Sequence, residues 1–273
     1  MAEAGILPPL VARADRAEVV YPNGTRGLHA CSLEFRAGEF VVLLGASGAG
    51  KSTLLRLLNG LATPTGGAVL DAHARSLTGR GVLRRHRRRT GMVFQQHHLI
   101  DRLSVLQNVL IGRLGSRSLA ASLLPWTRAD KCLALSALAR VDLVERALQR
   151  ADALSGGQQQ RVGIARALIQ APTLLLADEP VASLDPATAE RLMNLLGTIC
   201  RSDGMALIVS LHQVELALRH ADRIVGLKDG RVVFDGRPQD MTSQTRMDLY
   251  GTSSDQTDEG APIAAHSATR ITA

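Results

Sequence analysis

The sequence predicts an α/β protein built on a largely parallel sheet. Two observations carry this. Apolar runs of strand length recur along the chain, among them "FVVLLGA", "TLLLA" and "MALIVSLH". Stretches with helical apolar spacing separate them, as in "KSTLLRLLNGLA" (51–62) and "DPATAERLMNLLGTI" (185–199). Strands that alternate with helices need crossover connections, and crossovers pair strands in parallel.

The elements follow in order. Residues 1–14 are expected to extend from the N-terminus of a domain over 15–245. Residues 10–45 read as strands with turns; "AEVVYPNGT" carries an Asn-Gly turn, and "GEFVVLLG" is a short buried strand. The helix over 51–62 follows directly. From about 97 to 170 the pattern is helical and rich in Leu, Ala and Arg, which reads as an inserted helical subdomain. Strands return at 173–180 and 205–212, with the 185–199 helix between them. "DRIVGLKDGRVVFDG" (222–236) reads as two strands about an Asp-Gly turn. Residues 246–273 are expected to form a flexible tail, the last 22 being small, polar and without periodicity. No internal repeat is present.

Composition narrows the function classes. The chain has 273 residues, enough for a sizeable core, and 45% of them are hydrophobic. Aromatics are only 3%, too few for stacking platforms on single-stranded nucleic acid. Cys31, Cys132 and Cys200 lie far apart with no CxxC pair, so neither a zinc site nor a disulfide framework is expected. No apolar run has the length of a membrane span, and the first residues do not resemble a signal peptide. A role at a membrane would need docking on something that spans it. The net charge is +7, much of it in "RRHRRR" (84–89). That run fits an anionic partner, such as nucleic acid or a lipid surface, or a solvated helix face.

Gly45-Ala46-Ser47-Gly48-Ala49-Gly50-Lys51-Ser52 fits the phosphate-loop pattern GxxxxGK[ST], between a strand and a helix. Its glycines let backbone N–H groups wrap a β-phosphate. Lys51 reaches the β/γ oxygens, and Ser52 offers a hydroxyl to Mg²⁺. "LLLADE" ends a strand in Asp178 and Glu179. Asp178 is placed for a Mg²⁺ shell, and Glu179 to accept a proton from an attacking water. His212 and Gln95 each close a strand-like run, so they open on the sheet edge where such folds bind ligands. Gln95 can reach Mg²⁺ or the attacking water, or be a surface turn residue. Tyr21 precedes the "PNG" turn and can stack on adenine or pack in the core. "LSGGQQQR" (154–161) makes a bare helix N-terminus, a second anion-holding element beside the first.

This set, in this order and with "SLD" (183–185), resembles the ATP-binding cassette (ABC) ATPases over about 15–240. The resemblance implies a P-loop NTPase fold with an antiparallel β subdomain and an inserted helical subdomain. It implies ATP and Mg²⁺ as cofactors, with ATP held by Tyr21, Gly45–Ser52 and Thr53. It implies Glu179 as general base, Lys51, His212 and Gln95 as catalytic, and Ser52, Gln95 and Asp178 around Mg²⁺. It also implies a head-to-tail homodimer in which Ser155, Gly156, Gly157, Gln158 and Asp185 of one copy complete the site of the other. A helix N-terminus at Ser155 adds N–H donors and positive dipole to a γ-phosphate, so closure senses nucleotide state.

A narrower resemblance lies in "NVLIGRLGSRS" (108–118) and "VSLHQVELALRHADRIVGLKDGRVVFDG" (209–236). These stretches look like the ATPase subunits of phosphonate importers. That implies two membrane permease subunits, an indirect periplasmic binding protein and a peripheral place on the cytoplasmic face of the inner membrane. The docking surface would lie over about 96–115, and no nucleic acid is expected. Phosphite and phosphate remain alternative cargoes. The alternative functions are a soluble ABC ATPase acting on nucleic acid or ribosomes and a cassette in phosphonate breakdown.

Overall fold

The computed structural model describes residues 7–251, except 97, 119, 120, 122 and 123. In chain order the first strands are β1 (Leu10–Val20), β2 (Arg26–Arg36), β3 (Phe40–Leu44), β4 (Gly66–Asp71) and β5 (Thr90–Val93). The later ones are β6 (Leu174–Asp178), β7 (Ala206–Leu211), β8 (Arg223–Lys228) and β9 (Arg231–Gly236). The helices are α1 (Lys51–Leu58), α2 (Arg80–Arg88), α3 (Val105–Ile111) and α4 (Arg128–Ala139), followed by α5 (Gly156–Leu168), α6 (Pro186–Asp203), α7 (Val214–His220) and α8 (Ser243–Tyr250). No helix among the described residues is long and apolar enough to cross a membrane.

Two sheets form. The smaller is antiparallel, in the order β2-β1-β4; the larger runs β5-β6-β7-β3-β8-β9, parallel except for β9. The central strands are apolar throughout because both faces are covered. Along β3, Phe40, Val42 and Leu44 join the core under α3–α7, while Val41 and Leu43 join the core under α1 and the small sheet. A fully buried Leu contributes roughly 1.5–3 kcal/mol, so this strand anchors both layers.

The expected N-terminal extension over 1–14 is corrected by β1, which begins at Leu10. Val11, Ala12 and Ala14 are buried there, paired with β2 on one side and β4 on the other. The apolar run is short and follows Pro8 and Pro9, which hid it. The expected tail over 246–273 starts too early, because α8 continues to Tyr250. Thr242 caps that helix, accepting from the Thr245 N–H, and Leu249 is its one buried residue, so no apolar stripe marked it. Residues 252–273 lie outside the described residues. Helices α3–α5 fill the stretch read as helical.

The basic run forms α2, and it is more than a solvated face. His86 is buried, and its Nε2 bonds the Leu58 carbonyl at the end of α1 at 2.7 Å. Arg84, Arg85, Arg87, Arg88 and Arg89 stay exposed around it.

Candidate active site

Sheet register assembles the site. Leu44 pairs with Leu211, Asp178 with Ser210, and Val93 with Ala177. The loops holding Gly45, Glu179, Gln95 and His212 therefore leave one edge of the sheet, the carboxyl edge where such folds bind ligands.

The loop after β3 needs glycine. At Gly45 φ is +150°, and a Cβ would sit 2.2 Å from the Leu227 carbonyl oxygen. Gly50 opens α1 at φ +103°, and a Cβ there would sit 2.7 Å from the Gly27 carbonyl oxygen. Both conformations are left-handed, which costs any other residue dearly. Lys51 is buried, and its Nζ donates to the carbonyls of Gly45 at 2.6 Å and Ala46 at 3.0 Å. Burial pulls its pKa down, while the charges of Glu179 and Asp178 pull it back up. The ammonium is thus fixed at the mouth of the loop.

Ser52 Oγ donates to Asp178 Oδ1 at 2.9 Å. Ser210 Oγ donates to the same oxygen at 2.8 Å and accepts from the Glu179 N–H at 2.8 Å. Ser210 is fully buried in an apolar strand. It orients both carboxylate residues at once, and the sequence reading missed it. Its one signal was a lone hydroxyl inside "MALIVSLH".

Glu179 sits at φ +48°, a left-handed backbone that a non-glycine residue adopts only under constraint. That turn aims its carboxylate between two neighbours. Gln95 Nε2 donates to Oε2 at 3.0 Å, and His212 Nε2 bonds Oε1. Glu179, Gln95 and His212, taken from three different loops, therefore meet.

Tyr21 is half-buried. Its hydroxyl shares a 2.9 Å hydrogen bond with Thr53 Oγ1, and its ring covers Gly27, where a Cβ would lie 2.5 Å away. The tyrosine is thereby tied to the first turn of α1. The second anion-holding element stands apart. Ser155 and Gly156 are exposed at the start of α5, and Gln158 Oε1 accepts from the Ser155 N–H at 3.0 Å. Among the described residues no hydrogen bond links Ser155–Gln158 to the Gly45–Ser52 loop. Gly157 lies beside Leu184 and Thr188, and Asp185 caps α6 by accepting from the Thr188 N–H at 3.0 Å. The Thr188 hydroxyl first, and then its N–H, hold the Asp185 carboxyl below the usual range.

A strand–loop–helix phosphate cradle beside a bracketed carboxylate defines a P-loop nucleoside triphosphatase. A family model described as "ABC transporter" matches residues 28–182, more than half of the chain, and the chain belongs to that family. It is 58% identical to the phosphonates import ATP-binding protein PhnC 2 of Cupriavidus metallidurans, over 89% of this chain and 88% of that protein. It is 56% identical to the phosphite import ATP-binding protein PxtA of Stutzerimonas stutzeri, over 92% of this chain and 91% of that one. Among solved structures it is similar to the ATP-binding cassette MJ0796, in a dimeric post-hydrolysis state bound to ADP and Pi. That match has a TM-score of 0.74 at 34% identity, over 83% of this chain and 98% of that one. It is also similar to cbiO1 of Clostridium perfringens, at TM-score 0.76 and 27% identity over 88% and 94% of the two chains. The expected ABC ATPase fold is borne out.

Proposed function

We propose that this chain hydrolyses ATP to drive uptake of a phosphonate or a related phosphorus oxyanion through separate membrane permeases. The observation that carries the catalytic half is Glu179, held between Gln95 and His212 beside the phosphate loop. The import half is supported by the likeness to the phosphonate and phosphite import proteins.

The chemistry follows from these side chains. Backbone N–H groups of Gly45–Ser52 and the Lys51 ammonium hold the β- and γ-phosphates. Tyr21 would flank the base, and Thr53 the phosphates. Glu179 takes a proton from a water as that water's oxygen bonds to the γ-phosphorus. The bond from phosphorus to the bridging oxygen breaks, and ADP leaves with its electrons. Gln95 and His212 orient Glu179 and the γ-phosphate. Ser52 and Asp178, with Gln95 near, form an oxygen donor set that fits Mg²⁺. When bound, that ion neutralises charge on the β- and γ-oxygens. Ser155–Gln158 and Asp185 of a second copy would complete each site.

The docking surface, expected over about 96–115, is extended to a groove of about 490 Å³ between α2 and the 112–116 turn, which shares only the end of that range. Arg80, Arg84, Arg87 and Arg88 line it together with Leu83 and Arg113. Arg87 is pinned by the Gly60 carbonyl and Arg88 by that of Gly115. Among the described residues only Arg113 of this set has a carboxylate partner, Asp130. Preorganised, uncompensated guanidinium groups suit an acidic segment of a permease on the cytoplasmic face of the inner membrane. From α2 the chain runs through β5 straight to Gln95, a short route to the catalytic carboxylate.

Glu179→Gln is expected to lower ATP turnover at least about 100-fold while leaving nucleotide binding in place. Near-wild-type turnover would overturn the general-base role. The double change Arg84→Glu, Arg88→Glu is expected to abolish co-purification with permease subunits. Retained co-purification sinks the docking surface. Uptake in a deletion strain, comparing phosphonates, phosphite and phosphate, identifies the cargo.

A further inference from the structure

Helix α8 ends at the nucleotide site, and its route there is fixed by packing. Lys228 Nζ of β8 donates to the Asp248 carbonyl at 2.6 Å. Leu249 is buried against Gly226, where a Cβ would sit 2.9 Å from Leu249 Cδ2. Gly226 pairs across the sheet with Leu44, the residue before the phosphate loop. Tyr250 follows directly at the end of α8, and its hydroxyl comes to the loop after β7. The same hydroxyl donates to the His212 carbonyl at 3.1 Å. One phenol hydroxyl thus ties the end of α8 to the loop after β7.

That loop carries a side chain whose position the proposed chemistry needs. His212 follows β7 directly, and its Nε2 bonds the carboxylate of Glu179. A small rotation of the His212 backbone would swing that nitrogen away from the carboxylate. A misplacement of about 1 Å at a reacting group can cost on the order of 100-fold in rate. The Tyr250 bond opposes that rotation from the backbone side, where the Glu179 contact has no hold.

We propose that Tyr250 is a positioning residue for ATP hydrolysis: its hydroxyl pins the His212 backbone to helix α8, which is itself seated on β8. Helix α8 is then a strut of the catalytic assembly. This rests on the assignment of Glu179 and His212 to hydrolysis.

Tyr250→Phe keeps the ring and removes the hydroxyl. Steady-state hydrolysis by the full chain should show kcat reduced by about three- to tenfold, the worth of one such bond. KM for ATP, ADP affinity by equilibrium titration and the melting temperature should stay unchanged. An unchanged kcat overturns the proposal. So does a fall in kcat matched by equal losses in melting temperature and ADP affinity, because the hydroxyl is then a stability contact. Glu179→Gln measured alongside separates the two claims. If it keeps turnover, the underlying assignment fails; if it loses turnover while Tyr250→Phe does not, only the strut fails.

Discussion

At the scale of single residues, Ser210 shows how few contacts fix the carboxylates. It is fully buried, donates to Asp178 and accepts from the Glu179 N–H. Its removal leaves the part-buried Glu179 N–H without its partner and a carboxylate short of one donor. Ser210→Ala should destabilise the fold by about 1–3 kcal/mol, visible as a lower melting temperature, and should also slow turnover. A variant as stable as wild type would mean that another group satisfies Glu179. Gln95 and His212 were legible as strand-end residues. Ser210 was not, because a serine in an apolar run has no sequence partner until register brings Asp178 beside it.

At the scale of elements, α2 is held to the body by its buried histidine. Burial holds the His86 pKa below 6.5, while its bond to the Leu58 carbonyl and the charge of Asp71 oppose that shift. The sign follows from proton uptake. As pH falls through about 6.5 the unfolded chain takes a proton at this site before the folded one does. Stability from this residue is therefore complete above that pH and lost below it. Melting temperatures at pH 7.5 and 5.5 should differ more for wild type than for His86→Gln. Equal shifts would show that His86 does not titrate on unfolding. The basic run was legible as an exposed cationic face. Its one anchoring residue was not, since a histidine among arginines reads as one more solvated group.

At the scale of the whole molecule, the proposed head-to-tail dimer makes each active site composite. Lys51→Ala removes the phosphate-holding half of a site, and Gly156→Glu places a charge on the opposing half. Either variant alone should be inactive. Mixed in equal amounts and allowed to exchange, they should recover roughly a quarter of wild-type turnover, because half the dimers carry one intact site. No recovery after demonstrated exchange would mean that one chain forms its own complete site. Concentration dependence of turnover per chain checks the same claim.

The sequence by itself determined the class of the protein and most of its chemistry. "GASGAGKS", "LLLADE" and "LSGGQ" work through local backbone geometry, so their spacing carries their roles. Strand-length apolar runs were equally local, because strands covered on both faces must be apolar. Only the tertiary structure decided what depends on contact between distant segments. It placed Ser210 between the Asp178 carboxylate and the Glu179 N–H, seated His86 on α1 and brought Tyr250 to the loop after β7. The same holds at the two ends of the domain. There β1 gains its pairing from β2 and β4, and α8 its seat from β8, so neither needed a strong pattern of its own.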